Sequence, residues 1–250
     1  MRFLVCSMPL GAPMYNGTIM DAPLDGIINL NKPAGLSSAR AVARVKRMLP
    51  RGTKIGHAGT LDPFATGVLL LLVGKATRLC ETLMDQPKQY EATVKLGATT
   101  PTEDPESPET VTPDAQPATG QQIDTALQKL VGEILQRPPA FSAMKVGGRR
   151  AYDLARKGQG VELKARPVKV YRIELLEYQW PLARLRIDCG RGTYIRAIAR
   201  DLGEALRTGG YLTALCRTRV GSFDVNDATD LDALSSSSIG ESIHPFPATS

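Results

Sequence analysis

Apolar positions fall into runs whose spacing changes along the chain, and each change predicts an element. GIINL at residues 26–30 predicts a strand that enters the turn NKPAGLSS. Ser37 or Ser38 can cap the helix that follows over residues 39–49, since a hydroxyl satisfies the free amides of a first helical turn. On that helix Val42, Val45 and Leu49 share one face, and Arg40, Arg44 and Arg47 lie toward solvent or a polyanion. KIGHAGTLDPFATG is rich in glycine and predicts a loop containing Asp62. Behind it the run at residues 68–73, within GVLLLLVG, is bounded by glycines and too short to cross a bilayer, so it predicts a buried strand.

A helix is predicted over residues 76–84. QYEATVKLG then alternates as a strand does, with Tyr90, Ala92, Val94 and Leu96 on one face. Ile123, Leu127 and Leu130 mark an amphipathic helix. Residues 169–178 and 184–188 predict two strands, the second turning Leu185 and Ile187 inward and Arg184 and Arg186 outward. Thr193 can cap a helix carrying Ile195, Ile198, Leu202 and Leu206, which ends near Gly209 and Gly210. Strands come in groups with helices inserted between them, which predicts an α+β fold and excludes a regularly alternating doubly wound sheet. No internal repeat is present.

Composition sets the class. With 250 residues, 42% hydrophobic and 22% charged, the chain can bury a substantial core, and disordered or fibrous classes are excluded. Arg2 and the FLVCSMPLGA that follows imitate a secretory leader, but Pro9 and Pro13 interrupt it. Cys6, Cys80, Cys189 and Cys216 are far apart and lack CxxC spacing, so neither a zinc site nor a disulfide framework is expected, and a reducing cytoplasm fits.

The formal charge of +6 is unevenly spread. Residues 101–120 hold five acids (Glu103, Asp104, Glu106, Glu109, Asp114), five prolines and no Lys or Arg, which predicts a solvated loop. Basic clusters recur from Arg137 to Arg219, among them Arg149 and Arg150, Arg156 and Lys157, and Lys164 to Arg166. A phosphate-binding face or a plain solvated surface would account for them. Beyond Phe223 the chain is rich in Asp, Ser and Pro, which predicts a loose tail over residues 224–250.

Candidate chemistry centres on GHAGTLDPFATGVLLLLVGKATRL at residues 56–79. An isolated Asp-Pro pair is ordinarily a turn. This segment, however, resembles the catalytic motif of the TruB family of tRNA pseudouridine synthases. NKPAGLSS, KQYEATVKLG, RPPAFSAMKVGGRRAYDLARKG and CGRGTYIRAIARDLG are similar to further blocks of that family in the same order, so the resemblance spans residues 26–223. It implies a pseudouridine synthase catalytic domain over those residues: a mixed, largely antiparallel sheet, flanking helices and a central RNA-binding cleft. Residues 1–25 would be an N-terminal extension.

The implied reaction isomerises uridine to pseudouridine, at position 55 of the TΨC loop of tRNA. The glycosidic bond breaks, the base rotates, and C5 bonds to the sugar. No redox change occurs, and no metal or other cofactor is implied; the sequence offers no metal-ligand cluster or P-loop. The reaction needs a positioned carboxylate, to attack or to move a proton, and the resemblance assigns that role to Asp62. It pairs Arg196 with Asp62 and stacks Tyr90 on the flipped base. Tyr194 and Leu215 fall in the base pocket, His57 against the RNA loop, and Lys32 with Pro33 beneath the catalytic loop.

By the same resemblance the partner is the tRNA TΨC arm, with no membrane and no obligate protein partner, and a monomer is expected. The family's small C-terminal PUA module is expected to be absent or vestigial, which leaves RNA contacts to the domain's own basic face, with Arg40, Arg149 and Arg150. The acidic loop looks like an insertion and is expected to point away from the RNA. A non-catalytic RNA-binding or tRNA-folding factor on the same scaffold is the competing reading. A nucleotide-binding reading of GHAGT fails because the loop lacks the P-loop lysine and leads into a strand.

Overall fold

A computed structural model describes residues 24–142, 145–146, 149–150 and 163–246. The leader-like stretch, Cys6, and the cluster of Arg156 and Lys157 lie outside the described residues, as do the side chains of Arg149 and Arg150. In chain order the elements are β1 (Gly26–Lys32), α1 (Ser38–Lys46), β2 (Ile55–His57) and β3 (Thr66–Val73). A 3-10 turn (Gly74–Leu79) then runs into α2 (Cys80–Asp85) and β4 (Lys88–Leu96). There follow the small hairpin of β5 (Ala98–Thr99) with β6 (Thr110–Val111), α3 (Gly120–Gln128), β7 (Gly132–Gln136), and a second hairpin of β8 (Lys145–Val146) with β9 (Arg149–Arg150). The last group is β10 (Arg166–Gln179), β11 (Leu182–Cys189), α4 (Ile195–Leu206), β12 (Gly210–Val220), β13 (Phe223–Asp224) and β14 (Thr229–Asp230).

Ten strands form one sheet in the order β14-β1-β3-β12-β4-β11-β10-β7, with β2 on the flank of β3 and β13 on β12. Pairing is antiparallel except where β1 meets β14 and β3 meets β12. The architecture is therefore the predicted α+β fold with a mixed, mostly antiparallel sheet. β3 explains its own sequence: Leu69, Leu71 and Val73 enter the main core, while Val68, Leu70 and Leu72 enter a second core under α2. A strand buried on both faces needs no polar alternation. β4 does alternate, turning Tyr90, Ala92, Val94 and Leu96 into the main core.

Several elements differ from expectation. α1 is capped by Ser37 and ends at Lys46, with Ala41, Val45 and Leu49 buried and Val42 only half-buried. The helix expected over residues 76–84 begins as the 3-10 turn, and α2 is short, with no fully buried residue. At α4 the cap is Tyr194 and not Thr193. The Gln136 side chain does the capping work from β7, accepting from the Tyr194 amide at 2.8 Å and donating to its carbonyl at 3.1 Å.

The segment expected to be a loose tail is packed. Leu231, Leu234 and Ile239 join the main core, β14 pairs in parallel with β1, and Ile27 and His244 exchange backbone hydrogen bonds at 2.9 Å. Its serines and acids face outward and mask three well-spaced apolar anchors.

Candidate active site

Asp62 lies in the loop between β2 and β3, and both of its neighbours are pinned. Ser38, at the start of α1, donates to the Leu61 carbonyl at 3.0 Å and accepts from the Leu61 amide at 2.9 Å. On the other side the Pro63 carbonyl accepts from the Gly35 amide at 2.8 Å and from Lys32 Nζ at 3.3 Å. Lys32 is wholly buried and also donates to the carbonyls of Pro33 and Leu36. NKPAGLSS is thus the floor of the Asp62 loop, since it supplies every one of these clamps.

Arg196, in the first turn of α4, faces Asp62 from the opposite wall. Its Nη2 donates to Asp62 Oδ1 at 3.1 Å, and Nε lies 3.0 Å from Oδ2. The guanidinium is 4% exposed and is held by the carbonyls of Thr102 and Phe141, each at 2.9 Å. A second carboxylate, which the sequence did not single out, completes the arrangement: Asp104 Oδ2 lies 3.3 Å from Arg196 Nη1, and the residue is 3% exposed. Arg196 therefore bridges two carboxylates. Only Asp62, with 31% of its side chain exposed, opens toward solvent.

The electrostatics follow from burial. Desolvation raises the Asp62 pKa, and Asp104 adds to the rise, while Arg196 and then Lys32 oppose it. Burial pulls Lys32 down to about 8 despite the attraction of Asp62. The same effect raises the Tyr90 phenol, and Arg217 acts against it. His57 is lowered by burial and by Arg217, which favours a neutral imidazole.

A cavity of about 260 Å³ opens over the carboxylate, with Asp62, Tyr90, Tyr194, Arg196 and Leu215 in its walls. Five of the seven residues singled out in the sequence thus meet in one place. Lys32 lies beneath, and His57 stands on β2 outside the lining. Two buried cations in the wall were not anticipated: Lys88, which bonds the carbonyls of Met84 and Gln86, and Arg217. Burial takes Lys88 down to about 8.

One expectation about charge needs correction. The acidic stretch is not uniformly solvated and does not point away from the site, because Asp104 is buried against Arg196, the Thr102 carbonyl accepts from the same guanidinium, and Pro105 borders the neighbouring groove. Its acids are offset: Glu103 pairs with Arg200 at 2.7 Å and Glu109 with Lys95 at 2.7 Å, which removes much of the repulsion an RNA would meet. Arg184 and Arg186 face outward as expected, and there they form a ladder with Glu91, Glu174 and Glu177.

Known proteins share this organisation. Residues 46–195 match the family model described as TruB family pseudouridylate synthase (N terminal domain), and residues 196–242 match that of the tRNA pseudouridylate synthase B C-terminal domain. The chain is 49% identical over 219 residues to the tRNA pseudouridine synthase B of Mycobacterium tuberculosis, covering 86% of this chain and 73% of that one. It is 48% identical over 209 residues to the Bacteroides fragilis protein of the same name, covering 82% and 90%.

Among solved structures, an H/ACA ribonucleoprotein bound to a substrate RNA containing 2′-deoxyuridine aligns with TM-score 0.63 and 30% identity, over 84% of this chain and 52% of that one. A Cbf5-Nop10-Gar1 complex aligns with TM-score 0.67 and 30% identity, over 89% and 60%. This chain thus spans little more than half of those proteins. The two family models together cover β2 to the packed tail, including both walls that hold Asp62 and Arg196, and the chain belongs to the TruB family of pseudouridylate synthases.

Proposed function

We propose that the protein isomerises uridine to pseudouridine in tRNA, at position 55 of the TΨC loop, with Asp62 as the catalytic carboxylate acting on a flipped nucleotide. The observation that carries this reading is the Asp62 carboxylate, ion-paired to Arg196 at 3.0 Å at the base of a nucleoside-sized cavity that Tyr90 and Tyr194 enter. The pairing keeps an otherwise desolvated carboxylate charged and oriented, ready to attack or to remove a proton. Tyr90 supplies a face on which the base can stack, worth about 1–3 kcal/mol, comparable to the few kcal/mol needed to unstack it. Tyr194 and Leu215 close the pocket around the base, His57 meets the RNA loop, and Lys32 holds the floor.

Docking relies on basic groups of the domain, among them the exposed Arg40 on α1 and Arg47 at its C-terminal cap. The protein acts as a cytoplasmic monomer without a protein partner. Among the described residues no helix is long and apolar enough to cross a membrane.

Incubation of the purified protein with an unmodified tRNA transcript, followed by base-resolution mapping, should find pseudouridine at position 55. Asp62→Ala should lower the single-turnover rate by at least about 10³-fold while keeping tRNA affinity within a few-fold. Comparable product from Asp62→Ala would remove the carboxylate from the mechanism. Absence of product with the wild-type protein would favour a non-catalytic RNA-binding role.

A further inference from the structure

Arg217 is the least exposed arginine near the site, at 1%, and among the described residues no carboxylate is ion-paired with it. A buried guanidinium without a counter-ion is costly, and an apolar residue would join two strands at less cost, so its charge and shape call for a use. Its place is set by three strands. On β12 it lies directly opposite Tyr90 of β4 and opposite Gly67 of β3. The backbones approach so closely at Gly67 that a Cβ there would lie 2.3 Å from the Arg217 carbonyl oxygen.

The side chain then reaches under the active site. Nε donates to the Val68 carbonyl at 2.7 Å and Nη2 donates to the Gly59 carbonyl at 3.0 Å, while Tyr90, its register partner on β4, shares the cavity with it, and the guanidinium charge counters the rise that burial imposes on the phenol pKa. Gly59 begins the loop that carries Asp62, and both Gly59 and Arg217 line the same cavity.

Resting on the function proposed above, we infer that Arg217 is a positioning residue that fixes the Tyr90 hydroxyl and the Gly59 end of the Asp62 loop relative to each other. A guanidinium offers donors in a rigid planar fork, so one group can serve carbonyls of two segments and a phenol together, which a lysine ammonium on a flexible stem does not reproduce. Without the fork the Tyr90 ring stays packed, but its hydroxyl and the start of the loop lose their common reference.

The test is a double-mutant cycle on single-turnover pseudouridine formation, with tRNA affinity and thermal unfolding measured in parallel. Arg217→Lys should slow the chemical step by about 10-fold or more and leave affinity within about threefold, because misplacement acts on chemistry more than on binding. In the Tyr90→Phe background the same change should cost at least about threefold less, since part of what it positions is already gone. Equal losses in both backgrounds, or a loss confined to affinity, overturn the inference.

Should Arg217→Lys fail to fold, the side-chain nitrogen resonances of Arg217 in the wild-type protein and in Tyr90→Phe decide the matter: a shift supports the contact, and unchanged resonances overturn it. A wild-type protein inactive on tRNA would sink the proposed function, while the resonance comparison would still judge the link between Arg217 and Tyr90.

Discussion

At the scale of single residues, the site is a balance between burial and pairing at Asp62. Because burial raises its pKa above 3.8, the folded protein holds that proton more tightly than the unfolded chain does. The stabilising contribution of the group is complete below 3.8 and is lost as pH rises through the folded value, so at neutral pH the ionised carboxylate is a net cost. Asp62→Asn, which keeps the shape without the charge, should therefore have its most favourable melting temperature relative to wild type at pH 7. That advantage should shrink as the pH is lowered; a difference flat with pH would contradict the raised pKa. Arg196→Gln removes the largest influence lowering Asp62, so the acid limb of the rate profile should move to higher pH. These groups were legible to different degrees. Asp62, Tyr90 and Arg196 stand in dense motifs, whereas Asp104 is one acid among five in a proline-rich stretch, and only the fold reveals that it is buried against Arg196.

Elements show the same division. β3 and β4 were legible because one is continuously apolar and the other alternates, each pattern following from the number of faces buried. β12 was not, although it lies at the centre of the sheet. Its register shifts between Leu212 and Ala214 and again between Arg217 and Arg219, so its alternation breaks twice, and a buried arginine stands where the pattern leads one to expect an apolar residue. The junction of β3 with β12 depends on Gly67, whose φ of 98° and contact with the Arg217 backbone leave no room for a side chain. Gly67→Ala should destabilise by about 1–3 kcal/mol or more from backbone strain alone and should depress activity through the displaced Arg217. Leu71→Ala, in the middle of β3, should cost about 2–5 kcal/mol in denaturant unfolding. Leu135→Ala, on the exposed edge strand β7, should stay within about 0.5 kcal/mol. Similar costs at Leu71 and Leu135 would contradict the two-sided burial of β3.

For the whole molecule, the packed tail ties the edge of the sheet to the site. β1 carries Lys32, the ammonium beneath the Asp62 loop, and on its outer side β1 is held by the pairing with β14 and by the bridge between Ile27 and His244. Asn31 donates to Asp230 at 2.8 Å, and Arg44 of α1 pairs with Asp232 at 2.6 Å. The exposed pair contributes little, but Leu231, Leu234 and Ile239 are buried in the main core. At about 1.5–3 kcal/mol for each buried aliphatic side chain, their loss is comparable to the whole net stability of a typical domain, about 5–15 kcal/mol. Removal of residues 225–250 should thus lower the urea midpoint sharply and leave a chain that folds marginally, with its core edge exposed to dye binding. Adding tRNA should recover part of the midpoint, because a ligand that binds only the folded form shifts the equilibrium toward it. A truncated protein that unfolds at the wild-type midpoint would show that the segment is an appendage, and that β1 and the floor of the site stand without it.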